Sequence, residues 1–146
     1  MNYKARVNFL SMLIGSVLVA APPHTDIQRE VLELYRVRRV WPNTRRRLLQ
    51  ILHGTRALDT TLRTVLVYHG CLGTAKSLGQ YLVKLETHSA TTIAQLSSPE
   101  RKRFQSSIVK RRNRYMHESG AFPANDTEID TLLSEMQACL HTVLLL

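Results

Sequence analysis

Three side chains within six consecutive residues have the types needed for chemistry on a phosphodiester: Arg112, Asn113 and His117. The guanidinium of Arg112 stays cationic and offers a planar fork of donors that suits a phosphate. The imidazole of His117 can accept or donate a proton near neutral pH. The amide of Asn113 could orient the imidazole or a phosphate. Such groups are sufficient, in principle, to cut RNA without a metal ion.

These residues lie in the most basic stretch of the chain. Basic clusters bind phosphates with salt-sensitive, largely sequence-independent affinity. Trp41, between the halves of a second cluster, could stack on an unpaired base, but we favour a position packed under a turn. We predict RNA contacts from Arg101, Lys102, Arg103, Lys110, Arg111 and Arg114. The second cluster consists of Arg36, Arg38, Arg39, Arg45, Arg46 and Arg47.

Composition limits the class of protein. The chain has 146 residues and a net charge of +9, which predicts one domain and favours a polyanionic partner. A basic surface without a specific ligand is the alternative. Cys71 and Cys139 are far apart in the sequence. We predict that both act as small apolar residues inside helices and that the protein lies in a reducing, cytoplasmic compartment. The histidines and cysteines lack metal-ligand spacing, and no phosphate-binding glycine loop occurs, so we predict neither metal nor cofactor.

The N-terminus allows two interpretations. Lys4 and Arg6 precede the apolar run 7–21, which ends at Pro22-Pro23. A basic start, an apolar stretch and small residues are typical of a secretory signal peptide. The run is too short and too polar for a transmembrane helix. We favour a first core helix that the prolines end.

The rest of the chain carries helical patterns. Asp26 is the predicted N-cap of one helix, which ends before Trp41-Pro42. A second helix can start at Thr44, and Gly54 is a candidate interruption of it. Its predicted inward residues are Leu48, Leu49, Leu52, Leu58, Leu62, Val65 and Leu66.

The second half continues the pattern. Residues 89–97 are rich in Ser and Thr and predict a loop. The sequence Ser98-Pro99-Glu100 predicts a helix start with a hydroxyl cap, and that helix should end near His117. Thr127 with Asp130 is similar to a capping box, before a last amphipathic helix. No segment alternates convincingly with period two, so we predict an all-α bundle of four to six helices.

The combination of this motif, a glycine-containing loop and a last amphipathic helix resembles the HEPN superfamily of small helical domains. The family's motif is Arg, four to six residues, then His, often beginning Arg-Asn. Arg112, Asn113 and His117 match it here, and the resemblance covers residues 98–146.

The resemblance implies a metal-independent endoribonuclease that acts as a homodimer, with both motifs facing one cleft. His117 would act as general acid or base on the ribose 2′-hydroxyl, and Arg112 would stabilise the charge developing on the phosphoryl oxygens. Arg111 could replace or share that role. The products would carry 2′,3′-cyclic phosphate and 5′-hydroxyl ends. Such proteins serve as toxins with an antitoxin partner, in phage defence or in RNA processing.

Helix geometry sets a condition on this site. Arg112 and His117 differ by about 140° around an ideal helix, so they do not share a face. The site therefore needs an unwound last turn, or groups from two protomers. Tyr115 and Met116 are better interpreted as packing or dimer-interface residues than as catalysts.

Two further hypotheses stand beside the nuclease. The first is a catalytically silent HEPN-like module that binds nucleic acid or a protein. The second is a secreted or membrane-associated basic helical protein, which requires the run 7–21 to be a targeting segment.

Overall fold

Five helices dominate the part of the chain that the structure covers. The computed structural model describes residues 24–146, so the apolar run 7–21, with both of its interpretations, lies outside the described residues. No strand occurs within 24–146, which confirms the all-α prediction. The helices are α1 (His24–Arg36), α2 (Asn43–Tyr68), α3 (Leu78–Thr87), α4, and α5 (Asp126–Leu144), with a 3₁₀ turn at Val37–Arg39. α4 is composed of Ser98–Phe104, the π-helical segment Gln105–Lys110 and Arg111–His117.

Helix α1 buries Ile27, Val31 and Leu34, which recur at helical spacing. The predicted N-cap at Asp26 is wrong, because α1 already includes His24 and places Asp26 in its first turn. A carboxylate is favourable anywhere in a first turn, beside the unpaired amides and the positive helix end, so composition alone does not fix the cap position.

Helix α2 is the central element and contacts the other four helices. The predicted interruption at Gly54 does not occur. The glycine lies in the middle of α2, where a Cβ atom would stand 3.0 Å from Sδ of Met136 and 3.1 Å from Cδ2 of Leu133. Its missing side chain therefore lets α5 approach closely. Leu52, predicted to point inward, is 36% exposed, because it lines an open surface groove between α2 and the end of α4.

Helix α4 begins where the Ser-Pro-Glu signal predicts, but its cap is Ser97 rather than Ser98. Oγ of Ser97 accepts from the backbone N–H of Glu100, and the Glu100 carboxylate accepts from the N–H of Ser97. This reciprocal capping box needs a spacing of three residues, which only Ser97 provides. The predicted end near His117 is confirmed, and Gly120 follows with a φ of 79°.

Helix α5 begins earlier than its predicted capping box. The cap is Asn125, whose Oδ1 accepts from the N–H of Glu128 at 3.0 Å, and not Thr127. The carboxylate of Glu128 accepts from the N–H of Ala124 at 3.1 Å and from the Tyr115 hydroxyl at 2.8 Å. This cap therefore joins the start of α5 to the end of α4, a long-range contact that local spacing cannot reveal.

The two cysteines differ in their surroundings. Cys139 is fully buried in α5, as predicted, and burial strongly raises the pKa of its thiol. Cys71 lies beyond the end of α2 rather than inside a helix, because Gly70 turns the chain with a φ of 67°. Burial, as the largest cause, raises the pKa of the Cys71 thiol too.

Candidate functional site

The motif occupies the last two turns of α4, and these turns are regular. Residues Arg111–His117 are α-helical, and the N–H of Glu118 still donates to the carbonyl of Arg114 at 3.1 Å. The last turn therefore does not unwind before His117. On such a helix the Cα atoms of Arg112 and His117 are about 9 Å apart, and their side chains leave in directions about 140° apart.

Arg112 is half-buried and faces the bundle. Its Nη1 donates to Oδ1 of Asn113 at 2.8 Å, whereas its Nε is buried without a hydrogen-bond partner. Asp59 of α2 lies within electrostatic range. Burial raises the pKa of the Asp59 carboxyl, and the positive charges of Arg112 and Arg63 partly oppose that rise. The Arg112 guanidinium thus occupies a partly desolvated position, where an anion interacts with it more strongly than in water.

His117 has the opposite character. Its side chain is exposed at the last helical position of α4 and forms no ion pair with any described residue. An exposed imidazole can reach a bound substrate, but nothing in residues 24–146 holds its ring in one orientation. Within one protomer, the structure brings Arg112 and Asn113 together and leaves His117 on another side of the helix.

The six predicted RNA-binding residues fall into two groups. Four are exposed and not held by another helix, and three of these, Lys102, Lys110 and Arg111, form no ion pair with described residues. The fourth, Arg114, lies 3.9 Å from a Glu118 carboxylate oxygen, a distance typical of a weak surface contact. These four cations are available to a polyanion.

The other two, Arg101 and Arg103, are held by carboxylates of neighbouring helices. Nε of Arg101 donates to Glu86 of α3 at 2.6 Å. Hydrogen bonds from Ser98 and then Arg101 lower the pKa of Glu86. Arg103 donates twice to Glu135 of α5, at 2.6 and 2.9 Å. Both arginines therefore fasten α4 to the bundle, a role that the basic pattern did not reveal.

The second basic cluster is also divided. Arg46 and Arg47 both donate to Asp126 at 2.9 Å and tie α2 to the start of α5. Arg39 and Arg45 are exposed. Between them the Trp41 side chain is 77% exposed, so its predicted packing under a turn is wrong. The turn before α2 lies at the surface, and no described element covers the indole.

An apolar groove lies next to Trp41 and reaches the motif helix. Its volume is about 610 Å³, and α2 and the end of α4 form its walls. Tyr115 and Met116 line it and are half-buried, as befits packing residues. We call this surface the Tyr115 groove; it consists of Pro42, Thr44, Arg45, Leu48, Leu49, Leu52, Tyr115 and Met116.

Two cavities that the sequence did not indicate meet at Arg112. One, of about 640 Å³, lies between the start of α3 and α4 and includes Gly79 and Gln105. The other, of similar volume, lies between α1 and α2 and includes Thr55 and Asp59. Gly79 could have indicated the first cavity from the sequence, because a glycine in the first turn of a helix leaves space beside it.

Residues 24–146 contain neither a cluster of metal ligands nor a membrane-spanning helix. No group of three or more His, Cys, Asp or Glu side chains there could hold a metal ion. No described helix is long and apolar enough to cross a membrane.

Comparison with known proteins adds no relative: no protein-family model, curated protein or solved structure matches the chain. The resemblance to the HEPN superfamily therefore rests on the motif and the helical pattern alone.

Proposed function

We propose that this chain is a HEPN-like, metal-independent endoribonuclease that cuts RNA by attack of a ribose 2′-hydroxyl on the adjacent phosphorus. The observation that carries the proposal is the composition of the last two turns of α4. They present the hydrogen-bonded pair Arg112–Asn113, an exposed His117 and the unpaired cation Arg111, directly after the unpaired Lys110.

Each residue has a role that fits its surroundings. His117 acts as general acid or base on the 2′-hydroxyl. Arg112 stabilises negative charge on the phosphoryl oxygens, and its partly buried position strengthens that effect. Asn113 holds the Arg112 fork through its Oδ1, which leaves Nη2 for a phosphate. DNA lacks the attacking hydroxyl and resists this route.

The separation of Arg112 and His117 requires a composite site. Since the helix is regular to its end, one protomer supplies Arg112 and Asn113 while a second copy supplies His117 to the same cleft. The Tyr115 groove supports this arrangement, because it is an apolar surface on the motif helix itself. Burying it and Trp41 between two copies would remove exposed apolar area from water.

RNA would lie along the exposed cations of α4. Lys102, Lys110, Arg111 and Arg114 are suited to the phosphate backbone, and Trp41 offers an exposed face for stacking on a base. A cytoplasmic toxin paired with an antitoxin, a phage-defence effector or an RNA-processing enzyme would each use these parts, and the resemblance alone suggests those roles.

The test is cleavage of end-labelled single-stranded RNA in EDTA by wild type and by His117→Ala. We expect EDTA-resistant cutting that leaves 2′,3′-cyclic phosphate ends and falls by about 10²–10⁴-fold in the variant. A DNA strand of the same sequence is the matched substrate control and should remain intact.

One observation favours a second candidate, a silent RNA-binding module. Arg112 faces the interior of its own protomer, and its Nε is buried. If dimeric wild type binds RNA but cuts no substrate in the same assay, this candidate replaces the nuclease.

A further inference from the structure

Two large side chains with apolar surface are exposed at the end of the bundle where α2 and α5 finish. Tyr68, the last residue of α2, is 72% exposed, and Leu145, directly after α5, is 66% exposed. The two helices also start together, because Arg47 near the start of α2 donates to Asp126 at the start of α5. Tyr68 and Leu145 therefore belong to one end of the molecule.

The loop between α3 and α4 joins the two helix ends. Nδ1 of His69 and Oγ1 of Thr92 are hydrogen-bonded at 2.8 Å, and the N–H of Ala94 donates to the carbonyl of Leu146 at 3.1 Å. Three segments of the chain thus meet here. We call this part of the molecule the Tyr68 surface; it consists of Tyr68, His69, Thr92, Ala94, Leu145 and Leu146.

The three segments that meet at the Tyr68 surface contain no Asp, Glu, Lys or Arg. They are residues 64–75, 87–99 and 136–146. Nζ of Lys84 lies beside Gly73, beyond the turn at Gly70, and so outside the surface as defined. In a chain with a net charge of +9, the Tyr68 surface is therefore distinguished by the absence of side-chain charge.

Charge decides which partner fits this surface. Other faces of the bundle present exposed cations, such as Lys102, Lys110 and Arg111 on α4, and two copies of this basic chain repel each other there. The Tyr68 surface has no side-chain charge that opposes its own copy, and none that attracts an acidic protein or a nucleic acid. A second copy of this chain is therefore the partner that it suits.

The composition of the Tyr68 surface is also typical of the centre of a protein interface. Such centres are depleted of charged residues and enriched in aromatic side chains. Tyr68 supplies an exposed ring, and Leu145 adds aliphatic area beside it in the same end of the bundle. In a two-fold contact each copy would bury both side chains of the other, which removes their apolar area from water.

We propose that two copies of this chain bind each other through the Tyr68 surface in a two-fold contact. The surface lies beside the loop that leads into α4, whereas His117 ends that helix about 30 Å away. The contact is therefore compatible with the composite cleft proposed above and does not rest on it. If both contacts form, they link the chain into assemblies larger than a dimer; the Tyr68 surface alone forms a dimer.

The experiment is sedimentation velocity of the full chain at pH 8 over a concentration series, in about 0.1 and 1 M NaCl. Leu145→Lys places like charges opposite each other and should raise the dissociation constant of self-association by about tenfold or more. Tyr68→Ser removes the ring without adding charge and should also weaken association by about tenfold. The matched control is Leu32→Lys, the same change at an exposed leucine of α1 outside the surface, which should leave association unchanged.

Salt gives a second criterion. A contact without charged side chains should be as strong in 1 M as in about 0.1 M NaCl, because screening only reduces the repulsion between the two basic copies. A tenfold loss of association in high salt would indicate contacts between charges and would overturn the proposal. Circular dichroism of Leu145→Lys and Tyr68→Ser checks that both variants remain folded, as expected for changes at exposed positions.

The remaining outcomes decide the proposal as follows. Weakening by Leu145→Lys and Tyr68→Ser, but not by Leu32→Lys, supports the Tyr68 surface. A wild type that stays monomeric throughout the series overturns it, whether another part of the chain or another protein covers the surface. Association that Leu145→Lys weakens no more than Leu32→Lys does also overturns it.

RNA cleavage in EDTA separates this contact from the nuclease, because neither Tyr68 nor Leu145 belongs to the proposed cleft. A Leu145→Lys variant that forms smaller species but cuts RNA as fast as the wild type supports the Tyr68 surface as a separate contact. A wild type that associates through Leu145 but cuts no RNA supports the surface and counts against the nuclease alone.

Discussion

Two inactive variants, Arg112→Ala and His117→Ala, are expected to restore each other's activity when their protomers are mixed. The reason is the regular end of α4, which separates the two side chains by about 140° within one chain. If each cleft takes Arg112 from one copy and His117 from the other, a mixed dimer contains one cleft with both wild-type groups.

The size of the effect follows from the symmetry. A two-fold dimer has two equivalent clefts, and random exchange of equal amounts produces heterodimers as about half of all dimers. Each heterodimer has one intact cleft of two, so an unseparated mixture should regain about one quarter of the wild-type rate, and heterodimers purified through two tags about one half. Each variant alone should fall by about 10²–10³-fold or more, which makes that recovery easy to measure.

The assay is RNA cleavage in EDTA after co-expression of the two variants with different affinity tags and purification through both. Native mass spectrometry checks that heterodimers formed. The matched control pairs Arg112→Ala with the double variant Arg112→Ala/His117→Ala, which provides no Arg112 in either protomer and should stay inactive. Heterodimers of the two single variants that cut no faster than either parent, despite an active wild type, would refute the shared cleft.

Three stability predictions test the packing that positions the motif. Gly54→Leu should lower the free energy of unfolding by about 1–3 kcal/mol or more in urea melts, because the new side chain meets Met136 at the closest approach of α2 and α5; an unchanged midpoint would contradict that close contact. Phe104→Ala should cost about 3–5 kcal/mol, since this fully buried ring fills the core beneath α4, and a cost below 1 kcal/mol would mean that it does not. Hydrogen bonds from Arg47 and then Arg46 lower the pKa of Asp126 in the folded protein. The carboxylate therefore stabilises the fold at a pH above its unfolded-state pKa of about 4, and this stabilisation is lost as the pH falls through the lower folded-state pKa. The stability difference between wild type and Asp126→Asn should therefore shrink on acidification below about pH 4, and a difference that grows there would contradict the ion pairs.

Local sequence predicted four to six helices and approximate bounds for several of them, and five occur among the described residues. Apolar residues at helical spacing predicted the buried Leu58, Leu62 and Leu66 of α2, and proline or glycine marked the breaks around Pro42 and Gly120. Such signals act between neighbours in the chain, so they can be recognised without the fold. The errors at Asp26, Ser98 and Thr127 arose because several residues in one turn could each act as a cap.

Tertiary structure decided what the basic and motif residues do. Arg103 joins α4 to α5 because Glu135, 32 residues away in the sequence, lies opposite it. Nothing in the local sequence predicts that pairing. Trp41 is exposed because no described element covers its turn. Sequence alone placed Arg112 and His117 on one helix and predicted their angular separation. Only the packing of α4 against α2 and α3 turned Arg112 toward two cavities and left His117 in solvent, because the face that a helix buries depends on its neighbours in space.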